Sequence, residues 1–160
     1  MSTFSYPEVG ATRDGALPPG YRHLRYRTRL RSDSFRAAGE AVLTWRLHRR
    51  VGIPFQTVAD RAAPGVRVAS GLAWLSAPCE IVWTVDDDGR IGFGYGTLAG
   101  HPVAGEESFV VSRDEAGEVW FTLTSFSRPA RWYTKVAGPL VPVLQRAYAR
   151  RCGSVLKRLA

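Results

Sequence analysis

The stretch Gly100-His101-Pro102-Val103-Ala104-Gly105-Glu106-Glu107 is where this chain brings a histidine and two carboxylates together in sequence. Side chains alternate across a strand, so Glu107 shares a face with Phe109 and Val111, while Glu106 sides with Ser108 and Ser112. If the more apolar face is the inner one, Glu107 enters the mouth of a cavity and Glu106 meets water. A carboxyl desolvated by aromatic neighbours has a raised pKa and suits general acid–base work. His101 is close enough in sequence to share that proton. The competing reading is a loop cap, in which His101 and Glu106 bond backbone groups or pair with arginine. Ligands at 101, 106 and 107 match no familiar metal spacing, so no metal or other cofactor is expected.

Two more segments bear on chemistry. Arg128, in Phe126-Ser127-Arg128-Pro129-Ala130, can clamp a carboxylate or phosphate bidentately, or tie this junction to Glu106 or Glu107 as an ion pair. In Gly92-Phe93-Gly94-Tyr95-Gly96-Thr97 the three glycines fall on one strand face, and Phe93, Tyr95 and Thr97 on the other. Glycines in register mark a sharp bend or the close approach of another group. One reading is a curved sheet with large neighbours filling the space; the other is a bare floor for a planar ligand. The run is no phosphate loop, since it lacks the lysine and no helix follows it. No Gly-x-Ser-x-Gly elbow is present, which leaves a serine hydrolase without support.

The elements that must position these residues follow from periodicity. Residues 21–31 alternate, with Leu24, Tyr26, Thr28 and Leu30 on one face and Arg25, Arg27, Arg29 and Arg31 on the other. Ser32-Asp33-Ser34 offers a helix N-cap, and Phe35, Ala38, Val42 and Trp45 follow at helical spacing until Gly52-Ile53-Pro54. Strands are expected over residues 66–75, 79–85, 90–98, 107–112 and 118–126, with a hairpin turn at Asp86-Asp87-Asp88-Gly89. Leu140, Leu144, Tyr148, Val155 and Leu159 then define an amphipathic helix over about 20 residues. The N-terminal 20 residues, rich in proline and glycine, are expected to hold no regular structure. Strand, helix, five strands and long helix predict an α+β fold: a curved antiparallel sheet of about six strands around the C-terminal helix. An apolar cavity is expected between them. Its candidate lining residues are Trp83, Phe93, Tyr95, Phe109, Phe121 and Trp132; Trp45 and Trp120 fill core or wall, and Trp132-Tyr133 form a lid or helix anchor.

Length and composition limit the function classes. The 160 residues suit one domain, and 45 % hydrophobic with 22 % charged residues excludes a disordered chain. No apolar run approaches the roughly 20 residues of a membrane span. The N-terminus lacks the basic and apolar regions of a secretory signal, so a cytoplasmic location is expected. Cys79 and Cys152 have no CxxC spacing and read as buried, reduced thiols. The net charge of +8 raises the possibility of nucleic acid or an anionic surface. The basic residues are mostly arginine, which codon bias also produces, and the arginine strand lacks interleaved exposed aromatics. Nucleic acid is therefore not the expected partner.

Four stretches resemble a known family: Tyr6-Pro7-Glu8-Val9-Gly10-Ala11-Thr12; Leu17-Pro18-Pro19-Gly20-Tyr21; residues 92–109, from Gly92-Phe93-Gly94 to Glu107-Ser108-Phe109; and Phe126-Ser127-Arg128-Pro129-Ala130. Together they resemble the DUF1990 (UPF0548-like) domains of unknown function, an outlying branch of the START-like and plant-allergen-like helix-grip proteins. The resemblance implies that fold, and a group whose members bind lipids, sterols, polyketides or hormones, some being cyclases or hydrolases. It supplies no catalytic residues. The expectation is a small hydrophobic or aromatic ligand, with Glu107, His101 and Arg128 as the catalytic set if the cavity is a cofactor-independent cyclase or hydrolase. The alternatives are a non-catalytic partner or assembly protein, and an anionic-surface binder.

Overall fold

The computed structural model describes residues 4–72 and 75–160. Residues 1–3, and residues 73–74 of the strand expected over 66–75, lie outside the described residues. In chain order the elements are α1 (Ala11–Asp14), β1 (Arg22–Leu30), α2 (Phe35–Leu43), α3 (Arg46–Arg50), β2 (Phe55–Gln56), β3 (Arg67–Leu72) and β4 (Leu75–Asp86). They continue with β5 (Arg90–Thr97), β6 (Val103–Arg113), β7 (Val119–Pro129), α4 (Trp132–Ala137) and α5 (Leu140–Leu159). The sheet has seven antiparallel strands in the order β1-β7-β6-β5-β4-β3-β2. The strand beyond the expected six is β2, two residues long and too short to show a period. The N-terminal segment, expected to be irregular, carries the short helix α1.

One face of the sheet carries the core. Leu24, Ile91, Phe93, Phe109, Val111, Phe121 and Leu123 are buried there under α2 and α5. Full burial of such side chains stabilises by about 1.5–3 kcal/mol each before entropy is counted. The face of α5 that enters the core is Tyr148, Cys152, Val155, Leu156 and Leu159. Leu140 and Leu144, expected on that stripe, are 63 % and 66 % exposed, because Gln145 is the residue there that turns to the sheet, its amide donating to the Ser127 hydroxyl of β7 at 3.0 Å. Close approach over β1 depends on Gly153, where an added Cβ would lie 2.6 Å from the Tyr26 hydroxyl.

The helix expected to run on from Phe35 breaks after Leu43. Trp45 has φ 70°, an unusual left-handed conformation for a bulky residue. Its ring is buried and its indole N–H donates to the Ala59 carbonyl at 2.9 Å, which holds the turn. The chain restarts in α3, where Leu47 and His48 are buried. At the start of α2, Ser34 stands in the N-cap position, but its hydroxyl donates backward to the Arg31 carbonyl at 2.6 Å.

The other face of the sheet is covered in part by the N-terminal segment. Tyr6 and Thr12 are buried against it, and Phe4 bridges to Leu98. Gly94 and Gly96 make this approach possible: Trp83 and Thr12 occupy the space over the first, the Tyr6 ring that over the second. The glycine face is thus filled by large neighbours on the side opposite the core, which overturns the reading of a bare ligand floor.

Candidate functional site

The two adjacent glutamates of β6 part company across the sheet. Glu107 points inward, paired in register with Tyr95 on β5 and Ser125 on β7. Glu106 points outward, and the expectation that it meets water is corrected: it is 2 % exposed. Its Oε2 accepts the Tyr6 hydroxyl at 2.6 Å and the Gly10 N–H at 2.7 Å. Its Oε1 accepts the Thr12 N–H at 3.0 Å and the Thr12 hydroxyl. The Trp83 indole N–H in turn donates to Thr12 Oγ1 at 3.0 Å. Glu106 is the clamp that holds the N-terminal segment down.

Glu107 borders a cavity of about 210 Å³ at the end of the sheet where β5 stops and β6 begins. Tyr95 of β5, His48 of α3, His101 of the β5–β6 turn, and Gln145 and Tyr148 of α5 also border it. Burial pushes the Glu107 carboxyl up to about 7, and a hydrogen bond from the Tyr95 hydroxyl, 3.2 Å from Oε1, opposes part of that rise. Burial also holds the Tyr95 and Tyr148 phenols well above their ordinary range, so both stay protonated as donors. Tyr148 interacts with the Tyr95 hydroxyl and the Cys152 thiol. Cys79 and Cys152 are free and buried, and desolvation pushes both thiols up, away from the thiolate a nucleophile needs.

The two cavity histidines differ. His101 receives the Val103 N–H on Nδ1 at 3.0 Å, which leaves its proton on Nε2. Burial lowers its pKa to about 4. His48 is 3 % exposed, and neither ring nitrogen has a hydrogen-bond partner among the described residues. Its ring lies 4.6 Å from that of Phe109 and 5.2 Å from that of Phe55, and burial lowers its pKa to about 3. Both imidazoles are neutral at pH 7.

The expected site residues are thus only partly gathered. Glu107, His101 and Tyr95 border one cavity. Phe93, Phe109 and Phe121 share the inner face but are fully buried in core, further along their strands than the cavity. Trp83 faces the other way: a bulge between Ile81 and Trp83 shifts the register, so that Trp83 lies over Gly94 on the outer face. Trp132 is 75 % exposed on α4. Trp120, expected in core or wall, is half-buried on the outer face with the Arg27 guanidinium 3.8 Å from its ring. Arg128 is also exposed on the outer side, its guanidinium 4.9 Å from the Tyr21 ring, so it is not part of the cavity.

Sequence reasoning passed over His48 and gave Tyr148 no role beyond the helix period. The signal was present for each. His48 follows Trp45 by three residues on the apolar side of a helical pattern, and Tyr148 sits four residues after Leu144 and four before Cys152. Among the described residues, no group of three or more His, Cys, Asp or Glu side chains could hold a metal ion. No described helix is long and apolar enough to cross a membrane.

The sequence profile of the family described as domain of unknown function (DUF1990) matches residues 5–155. A UPF0548 protein of Deinococcus radiodurans is 36 % identical over 173 aligned positions, covering 98 % of this chain and 87 % of the relative. Among solved structures, a hypothetical protein from Helicobacter pylori superposes with a TM-score of 0.73 at 8 % identity, covering 99 % of this chain and 96 % of that one. Ginseng major latex-like protein 151, from Panax ginseng, superposes with a TM-score of 0.61 at 17 % identity, covering 86 % and 96 %. At these identities the structural likeness establishes the fold: an antiparallel helix-grip sheet with a long C-terminal helix.

Proposed function

This chain belongs to the DUF1990 family, and from that premise we propose that it binds a small hydrophobic or aromatic molecule in the cavity between the sheet and α5, with Glu107 as the proton-transferring group. The observation that carries this reading is Glu107 itself. A half-buried carboxyl borders the cavity with a single tyrosine hydroxyl to support it, and desolvation brings its pKa to about 7. Such a group is populated in both protonation states at pH 7, so it can take a proton from a bound molecule and return it. The Tyr95 hydroxyl steadies the carboxylate form, and neutral His101 offers its Nε2–H at the same cavity. Arg128, exposed over Tyr21, takes no part.

The volume narrows the ligand. A cavity of roughly 150 Å³ accommodates benzene, whereas pockets for drug-sized ligands measure about 300–1,000 Å³. At about 210 Å³, the space suits a substituted ring better than a sterol or a long acyl chain. The arginine strand gives little support to an anionic-surface role. Arg25 bonds the Gly15 carbonyl, Arg27 stacks on Trp120, Arg29 pairs with Glu118 at 3.2 Å, and Arg31 pairs with Asp33 at 3.4 Å.

Native mass spectrometry of freshly purified protein should reveal a bound small molecule. With that molecule or its analogues as substrate, Glu107→Gln should lower turnover by roughly 10²–10⁴-fold while leaving affinity within a few fold. Undiminished turnover in this variant would remove the acid–base role. An empty protein that no small ring compound stabilises against heat would remove the ligand-binding reading altogether.

A further inference from the structure

We propose that His48 is the polar anchor of the cavity, and that it receives the hydroxyl group of a neutral, single-ring ligand of the phenol class. The proposal rests on the cavity reading above and names the chemistry that the cavity selects. His48 is buried, and both its nitrogens lack a partner among the described residues. Buried polar side chains in folded proteins are almost always hydrogen-bonded. His48 borders the cavity with both nitrogens unpaired and covered, which points to a partner that enters from the cavity as a covering ring turns aside. The protein side offers none: the ring is enclosed by Phe55, Phe93, Tyr95 and Phe109, with centroids 5.2, 5.6, 5.9 and 4.6 Å away, and by the edge of Trp45.

The class of ligand follows from three features. Neutral imidazole carries one donor and one acceptor, and a hydroxyl can serve either nitrogen, whereas a carbonyl can only accept. The burial that lowers the His48 pKa to about 3 keeps the ring uncharged, so it offers no attraction to an anion. Aromatic walls and a volume of about 210 Å³ set the remainder of the ligand at one ring. The adjoining polar pair of the cavity, Glu107 with Tyr95, remains free to act on a second substituent.

Phenol and toluene, which match in shape but differ in the hydroxyl, provide the test by calorimetric titration of the intact protein. An apolar cavity without a partner favours toluene, because an unpaired buried hydroxyl costs about tenfold or more in affinity. Wild type should bind phenol at least as tightly as toluene, and His48→Phe should reverse the preference toward toluene by about tenfold. A readout on wild type alone covers the case in which the variant misfolds: the His48 ring ¹⁵N resonances should move on addition of phenol and stay in place with toluene. Equal discrimination by wild type and His48→Phe, or ring resonances indifferent to phenol, overturns the anchor while the cavity reading stands. Binding of neither compound at millimolar concentration overturns both.

Discussion

Glu106 and Glu107 are neighbours in sequence, the first buried and the second half-buried at the cavity, yet the structure uses them in opposite ways. Glu106 receives four donors, two of them backbone N–H groups of the N-terminal segment, so both its oxygens are satisfied by groups the fold holds in place. Glu107 receives one hydroxyl at 3.2 Å and faces a cavity, so desolvation dominates and its pKa climbs. Burial alone therefore does not mark a reactive carboxylate. The number of donors the fold supplies separates a structural clamp from a group poised to exchange a proton.

The largest effect should come from exchanging the clamp for its amide. In Glu106→Gln either amide orientation sets an NH₂ against a backbone N–H, of Gly10 or of Thr12. Leaving such groups unsatisfied at a formerly charged site should cost on the order of 3 kcal/mol, and Tm should drop by roughly 10 °C. Glu107→Gln, with one weak donor to lose, should not destabilise at pH 8. Similar Tm losses in the two variants would erase the distinction between the two carboxyls.

The pH dependence sharpens it. For Glu107 the folded pKa, about 7, lies above its ordinary value of 4.5, so between those values the folded state holds more proton than the unfolded one. Stability from this group is therefore greatest at low pH, falls as pH rises from 4.5 to 7, and remains low above that. At about 1.4 kcal/mol per pH unit the loss is on the order of 3 kcal/mol. His48 and His101 act in the opposite sense, because unfolding lets both take up a proton below about pH 6.5. Denaturant titrations of wild type and Glu107→Gln side by side cancel the histidines. The stability of the variant relative to wild type should rise across pH 4.5–7, and a flat difference would show that Glu107 titrates normally.

Next in size is the floor beneath the clamp. A methyl on Gly94 would meet the Trp83 indole at 2.6 Å and Thr12 Oγ1 at 3.0 Å, the atom that links Trp83 to Glu106. Gly94→Ala should cost about 1–3 kcal/mol by overpacking, read as a lower urea midpoint, with no change in the titration of Glu107. A neutral outcome would mean that Trp83 moves freely and that the outer cover is loosely held.

How much of this was legible in sequence depends on which kind of information each residue needed. Alternation along β6 was enough to turn Glu107 toward the core, and helical period was enough to recognise α5. Period gives the face of a strand but not the height along it. Phe93 and Phe109 therefore occupy the right face and the wrong depth, while Tyr95 and Glu107, two residues nearer the strand ends, border the cavity. The bulge between Ile81 and Trp83 inverts the face of Trp83, and no alternation rule registers a single inserted residue. Glu106 needed information from about 100 residues away, since its donors belong to a segment whose prolines and glycines promised only turns. His48 depended on one backbone reversal at Trp45, stabilised by a tertiary bond to Ala59.

The smallest effect is also the closest comparison, because the same atom can be deleted on each face. Tyr6→Phe removes one of four donors to Glu106, and the three that remain still satisfy both oxygens. The loss should be about 1 kcal/mol, with the Glu107 titration untouched. Tyr95→Phe removes the hydroxyl that opposes the rise of the Glu107 pKa, so desolvation acts on Glu107 without that counterweight. Its carboxyl should then titrate above about 7, which carbon-13 NMR of labelled glutamate can follow directly. The pair of variants thus separates two roles for a tyrosine hydroxyl: redundant bracing of a clamp, and control of the proton affinity of a lone carboxyl. A Glu107 titration left in place by Tyr95→Phe would mean that the 3.2 Å contact carries little interaction. Desolvation alone would then set the proton affinity of that carboxyl, and Tyr95 would be only a wall of the cavity.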